Sequence, residues 1–301
     1  MSRVLVTGAS GFIGRRTLAP LLAAGHEVHA VARTTVGGPE GVRWHAADLL
    51  ASPAEVVEQV APDVLLHLAW FAEHGRFWTA PENVRWVEAS LALLRAFAGT
   101  GGRRAVVAGT CAEYDWTAGD AVLSEATTPL APVTLYGASK RGLHEVARAH
   151  AAQAGYALAW GRVFFLYGPD EAPGRLFASV ARALLAGERA RTTAGTQVRD
   201  FLHADDVGAA FAALASSGVE GAVNVASGEG VALRDVVAEI AAASGRPDLL
   251  DVGALAQRPG EPERLVADTA RLRGEVGFRP ARGLSEGIAA AVDDLRAATG
   301  R

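Results

Sequence analysis

Short apolar runs rich in valine, leucine and alanine alternate with longer stretches of helical periodicity through the first half of the chain. The runs at residues 4–6, 27–32, 42–46, 63–68, 104–108 and 157–163 read as strands, and residues 13–24, 53–60, 82–97 and 135–154 between them as helices. The strand runs lack the in-and-out alternation of a sheet with one wet face. Strands buried on both faces have this pattern, and helical crossovers between them predict a parallel, doubly wound α/β sheet. After Gly168-Pro169 the rhythm changes. Helical patterns at 176–186, 205–216, 233–243 and 285–298 are separated by connections rich in proline, glycine and arginine, such as Arg258-Pro259-Gly260-Glu261-Pro262. A smaller second lobe is expected here, with the chain returning to the sheet near residues 223–226.

Composition narrows the function classes. The 301 residues are 50% hydrophobic and 21% charged, and 29 basic residues stand against 33 acidic ones. That balance offers no basic field for nucleic acid or anionic lipid, so any ligand phosphate must be held by helix N-termini and individual arginines. Cys111 is the single cysteine, which excludes an intrachain disulfide and a cysteine-based metal cluster; no metal is expected. The first residues run straight into a strand without a secretory pattern, and no apolar stretch approaches the ~20 residues that span a bilayer. A cytoplasmic protein is the expectation.

The opening Val4-Leu5-Val6-Thr7-Gly8-Ala9-Ser10-Gly11-Phe12-Ile13-Gly14 passes from a strand through a glycine-rich turn into a helix. Gly8 permits the sharp turn, Gly11 lets backbone approach a pyrophosphate, and Gly14 lets the helix sit close to the strand. The N–H groups around Ser10, Phe12 and Ile13 then face the anion. The spacing is G-x-x-G-x-x-G; its weight comes from following an apolar strand and preceding a helix. Residues 1–165 are therefore expected to form a Rossmann dinucleotide-binding domain, and residues 166–301 mainly the α/β substrate lobe. NAD sites place a carboxylate at the end of the second strand for the adenosine ribose. Here Ala32 and Arg33 stand there, and a cation suits a 2′-phosphate, with Arg15 or Arg16 able to assist. NADP(H) is favoured, with NAD(H) the alternative. Asp48-Leu49 offers an acceptor to the adenine amino group, and Leu68-Ala69 would flank the cofactor. His67 reads as a packed or capping histidine.

Tyr136 and Lys140 fall four residues apart at a helix start, and so on one face. A phenol of pKa ~10 is a poor base at neutral pH, but a neighbouring ammonium and a positive nicotinamide would favour its phenolate. Lys140 can also reach the nicotinamide ribose. Thr110 ends the fifth strand at the edge where ligands collect in parallel sheets, and can donate to the same substrate oxygen. The alternative for Thr110 is a hydroxyl bonded to its own loop backbone.

With these motifs the chain resembles the extended short-chain dehydrogenase/reductases of the NAD-dependent epimerase/dehydratase family, which act mainly on nucleotide sugars. The matching motifs are the Thr7–Gly14 turn, Thr110 ahead of Tyr114, Tyr136 with Lys140, and Arg162 through Tyr167-Gly168-Pro169. Arg199-Asp200-Phe201-Leu202-His203-Ala204-Asp205-Asp206 completes them, so the resemblance covers nearly the whole chain. It implies Thr110, Tyr136 and Lys140 as a catalytic triad and Val163 among the cofactor contacts. It implies further that Arg199 and Arg258 grip a nucleotide diphosphate, that the helix entered through Arg175 and Leu176 borders the nucleotide, and that the protein is a homodimer.

Departures from the family pattern narrow the reaction. Dehydratases place an Asp-Glu pair directly after the threonine; here Cys111 and Ala112 stand there. Glu113 is one residue late and, were the strand to continue, would face the other side. Dehydration is thus disfavoured. Arg33 points to exchangeable NADPH, so the expected reaction is reduction of a nucleotide-linked 4-keto-6-deoxyhexose, with dTDP as the expected carrier. NAD-dependent C4 epimerisation is the alternative, and a non-catalytic dinucleotide sensor the third reading. Phe165 and Trp86 replace asparagines common in the family. The aromatic segment 70–78 offers either an apolar wall for a deoxysugar or packing between lobes or subunits, and Trp70, Cys111 and Phe165 are expected at the substrate. His74 reads as a solvated loop residue.

Overall fold

Alternate residues of the first strand explain the missing alternation. Val4 and Val6 lie in one apolar cluster and Leu5 in another, and all three are completely buried. The computed structural model describes residues 1–34, 37–117, 122–257 and 260–299. Its strands in chain order begin with β1 (Arg3–Thr7), β2 (Glu27–Ala32), β3 (Arg43–Ala46), β4 (Val64–His67), β5 (Arg104–Thr110) and β6 (Ala157–Val163). The chain then leaves this sheet for β7 (Phe165–Tyr167), β8 (Ala190–Arg191) and β9 (Val198–His203), and returns for β10 (Gly221–Val225). It leaves again for β11 (Gly230–Ala232), β12 (Leu250–Asp251) and β13 (Arg264–Leu265). The central sheet runs β10-β6-β5-β4-β1-β2-β3 with every pairing parallel, the order of a doubly wound fold.

Helices α1 (Gly14–Ala23), α2 (Glu55–Val60), α3 (Glu82–Gly99) and α4 (Leu135–Ala154) cross between the first six strands. The second half adds α5 (Leu176–Leu185), α6 (Ala204–Ser216), α7 (Leu233–Ala243), α8 (Ala270–Gly274) and α9 (Leu284–Thr299). One sheet face is covered by Leu18 and Leu21 of α1 with Phe211 and Leu214 of α6. The other is covered by Val57 of α2, Leu93, Leu94 and Phe97 of α3, and Leu143 and Ala147 of α4. Burying each of the larger of these side chains contributes ~1.5–3 kcal/mol. α6 thus belongs to the sheet although it follows β9. Helices α5, α7 and α9 form a separate apolar cluster around Tyr167. Beside it β9 pairs with β7 and β13 in parallel and with β11 antiparallel.

The chain enters α4 at a defined residue. Thr134 is extended, and its hydroxyl accepts the Gly137 N–H at 3.1 Å. The helix ends where Gly155 turns left-handed at φ 79°. This cap puts Tyr136 and Lys140 in the opening turns, beside the carboxyl end of β5.

Candidate active site

The glycine turn is built to hold an anion. Gly8 has φ 67°, and a Cβ there would lie 2.7 Å from the Ala69 nitrogen. A Cβ on Gly14 would lie 2.1 Å from the Gly8 carbonyl oxygen, whereas one on Gly11 would meet only that oxygen, at 3.0 Å. Inside, the turn tolerates no side chain; outside, at exposed Ser10 and Gly11, it is open. No side chain caps α1, and no acidic residue stands in its first turn, so the positive helix end stays available. These residues fit a dinucleotide pyrophosphate.

The same edge holds the other expected cofactor positions. His67 bridges the Thr7 hydroxyl at 2.6 Å and the Ser90 hydroxyl at 2.8 Å, tying β1 to β4 and α3. Burial, helped by the nearby Lys140 charge, lowers its pKa to about 3, so it is a neutral structural group as expected. Leu68 and Ala69 follow it against the turn, and Val163 ends β6 opposite Thr110. Arg33 is exposed directly after β2 and makes no ion pair among the described residues. Arg15 and Arg16 do not join it. Arg15 pairs with Asp170 at 3.0 Å, and Arg16 donates to Asp205 at 2.9 Å and to the Pro169 carbonyl at 2.6 Å. Both tie α1 to the second half of the chain. Asp48 is exposed and accepts the Leu50 N–H at 3.0 Å, while Leu49 is buried in the core.

Thr110, Tyr136 and Lys140 converge at the end of β5. The Thr110 hydroxyl accepts the Ala112 N–H at 3.2 Å, so the local role open to it is realised, and it stands close enough to the Tyr136 phenol to favour its charged form. Tyr136 is half-buried, with Phe77 at 5.1 Å and Trp78 at 5.9 Å standing edge-on to its ring. Lys140 is 3% exposed; its Nζ donates to the Ala108 carbonyl at 2.7 Å and lies 3.7 Å from the centre of the Trp70 ring. Burial lowers its pKa to about 7, against the favourable charge of Glu113. It is also the only lysine in the sequence; every other basic position is arginine. Arginine stays charged in any such setting, whereas lysine can be tuned. The expected lowering of the Tyr136 phenol is not what these side chains produce by themselves. Burial pushes it up, and Thr110 and Arg175 offset only part.

Beyond Thr110 the strand does not continue. Cys111–Glu113 forms a short 3-10 turn that folds the Glu113 carboxylate back to accept from the Thr110 N–H, Trp160 Nε1 and Arg162 Nε, each at 2.9 Å. Glu113 is completely buried. It therefore avoids the substrate side through a turn and a buried ion pair, not through strand alternation. Burial raises the Cys111 thiol to about 12, and Ala112 has no proton to give. Positions 111 and 112 thus supply neither an acid nor a base for dehydration.

Residues 70–78 arch over this site. Trp70 Nε1 donates to Asn83 Oδ1 at 2.8 Å, and Trp70 stacks on Trp86. The Tyr136 N–H donates to the Trp78 carbonyl at 3.1 Å, and Trp78 stands edge-on to Trp116. Arg175 sits 5.9 Å over Phe77, and His74 lies against Gly174, so the arch reaches the second half of the chain. The packing alternative for this segment is thus present within the chain. Among the expected substrate residues, Arg199 is 6% exposed and lies 5.4 Å over Phe165, near Cys111. Burial lowers its pKa, and its guanidinium donates to the Val198 and Glu263 carbonyls. Leu176 opens α5 after Arg175, and Arg258 lies outside the described residues. Sequence reasoning missed Asn83 and the Glu113–Arg162 pair. For Asn83 a signal existed: it shares the apolar stripe of α3 with Ser90, Leu94 and Phe97.

Known proteins are similar to this chain along most of its length. The UDP-glucose 4-epimerase of Corynebacterium glutamicum is 28% identical over 92% of this chain and 91% of its own length. The dTDP-glucose 4,6-dehydratase of Streptomyces griseus is 29% identical over 97% of this chain and 93% of its own. The solved structure of MoeE5 in complex with UDP-glucuronic acid and NAD superposes with TM-score 0.86 at 32% identity, covering 98% of this chain and 99% of that one. The model of the NAD dependent epimerase/dehydratase family matches residues 4–226. A glycine turn open to a pyrophosphate, followed by Thr110, Tyr136 and Lys140 at one sheet edge, thus has a settled lineage: the chain belongs to the NAD dependent epimerase/dehydratase family of extended short-chain dehydrogenase/reductases and is an enzyme of oxidoreductase type.

Proposed function

We propose that the protein is a nucleotide-sugar 4-epimerase, acting on the C4 carbinol of a hexose carried by a pyrimidine nucleoside diphosphate. The observation that carries this is the Thr110–Tyr136–Lys140 set beside positions that hold no dehydration acid or base. With water elimination removed, the chemistry left to the set is proton handling at a carbinol, which epimerisation uses in both directions. Kinship with 4-epimerases favours that reading over net reduction. The nicotinamide dinucleotide, gripped at the Gly8–Gly14 turn, supplies the hydride chemistry. Tyr136 Oη takes the C4 hydroxyl proton and returns it, Thr110 hydrogen-bonds the same oxygen, and Lys140 favours the phenolate electrostatically. Arg175 and Arg199 face the nucleotide diphosphate, Phe165 and Cys111 line the sugar, and a homodimer is the proposed assembly.

Net reduction with NADPH is the second reading, and Arg33 without a neighbouring carboxylate is the observation that favours it. The purified protein, supplied with UDP-glucose or UDP-galactose, should interconvert them without net change at the reduced-nicotinamide band. Oxidation of NADPH by a nucleotide-linked 4-keto-6-deoxyhexose, with no epimer formed from either sugar, would overturn epimerisation. Tyr136→Phe should lower turnover at least ~100-fold while leaving dinucleotide binding in place.

A further inference from the structure

Trp70 makes a contact that the proton transfer above does not use. It leaves the end of β4 and lays its indole face against the Lys140 ammonium. The ring is pinned: Nε1 donates to Asn83 Oδ1 at 2.8 Å, and Trp86 stacks on it with ring centres 6.2 Å apart. Asn83 is itself completely buried, and its amide nitrogen donates to the Phe77 carbonyl at 2.7 Å and the Ala80 carbonyl at 2.9 Å. All of its hydrogen-bonding directions agree on one orientation, since a flipped amide would set N–H against N–H at the indole. One buried amide thus fixes both the ring that meets Lys140 and the backbone of the segment whose rings flank Tyr136.

We propose that Trp70 is a positioning residue for Lys140, its pinned π-face holding the buried ammonium charged and directed. Burial penalises the ammonium, and the negative face of an indole returns part of that cost. The other groups facing Nζ are the Ala108 carbonyl and Glu113 from β5 and the turn after it, and neutral His67 from β4. An aliphatic side chain in place of Trp70 would exclude water equally but present no negative face. Lys140 would then lose its proton at lower pH and cease to favour the Tyr136 phenolate.

This inference rests on the reading of Lys140 given above, and it can be tested without any substrate. Because Lys140 is the sole lysine, the full chain grown with lysine labelled at Cε and Nζ gives a single side-chain resonance to titrate by NMR. The wild-type resonance should titrate near its shifted value of about 7. In Trp70→Leu it should fall by about one unit, and in Trp70→Phe, which keeps a π-face and loses only the Asn83 bond, by less than half of that. In an active preparation the matching limb of the kcat pH profile should move with the resonance. A Leu variant titrating at or above the wild-type value, or Leu and Phe variants that coincide, overturns the proposal. The titration reads Lys140 whatever the reaction, so an absent epimerase activity and an unmoved resonance are separate failures.

Discussion

At the scale of single residues, the most consequential contact in the site is one no substrate touches. Glu113 is fully buried, Arg162 is 2% exposed, and the carboxylate also holds the Thr110 N–H and the Trp160 indole. Arg162 donates in turn to the Tyr114 hydroxyl at 3.1 Å, and that hydroxyl donates to Asn224 Oδ1 at 2.8 Å. Removing one charge from such a pair strands the other in a dry interior, which costs about 3–5 kcal/mol. Glu113→Gln is therefore expected to lower the urea midpoint by that free energy divided by the m-value, with the m-value unchanged. Turnover should fall less than stability, because the glutamine oxygen can still accept the Thr110 N–H and only the charge facing Arg162 is lost. A midpoint within error of wild type would mean that the guanidinium finds other acceptors and that the pair is dispensable.

At the scale of elements, α4 delivers two of the three candidate catalytic groups, so the residue that starts it has leverage. Thr134→Ala removes a cap worth about 1 kcal/mol. Because Tyr136 lies two residues on, kcat should fall further than thermal stability, and Thr134→Ser should restore both; equal turnover in the Ala variant would separate the cap from the site. The central elements were legible because their signal is local: β1, β2 and β6 are continuous apolar runs, and α4 and α7 have helical periods closed by recognisable ends. The segment near residues 223–226 announced β10 for the same reason. The strands β7, β8, β9, β11, β12 and β13 were not legible. They span two to six residues and carry Arg199, Asp200 and Arg264, whose partners come from distant parts of the chain. The same distance hid Trp70 from Lys140 and Glu113 from Arg162. The spacing of Tyr136 and Lys140 on one helix was visible because no tertiary contact is needed to produce it.

At the scale of the whole molecule, buried titratable groups set how the fold responds to acid. His67 and His144 are held neutral by burial, with pKa values of about 3 and about 4. In the unfolded chain each binds a proton near ~6.5, so between there and about 4 the unfolded state holds one more proton per histidine and stability falls with falling pH. Glu171 opposes this. It is 5% exposed, accepts the Ala178 N–H at 3.0 Å, and is raised by burial to about 7. Unfolded, it would ionise near ~4.3, so between that value and about 7 the fold holds the extra proton and gains stability as pH falls. It sits at the seam of the molecule, in the stretch where Arg15 and Arg16 of α1 bind Asp170 and Pro169 and where Arg175 enters α5. From about pH 6.5 to 4.5 these three groups leave a net of one proton taken up on unfolding, a slope of roughly 1.4 kcal/mol per pH unit. Glu171→Gln keeps an acceptor for the Ala178 N–H but binds no proton, so the slope should steepen by that same amount. Urea unfolding across this window measures it directly, and a variant whose slope matches the wild type would show that Glu171 is ionised in the folded protein and that the seam is wetter than its burial implies.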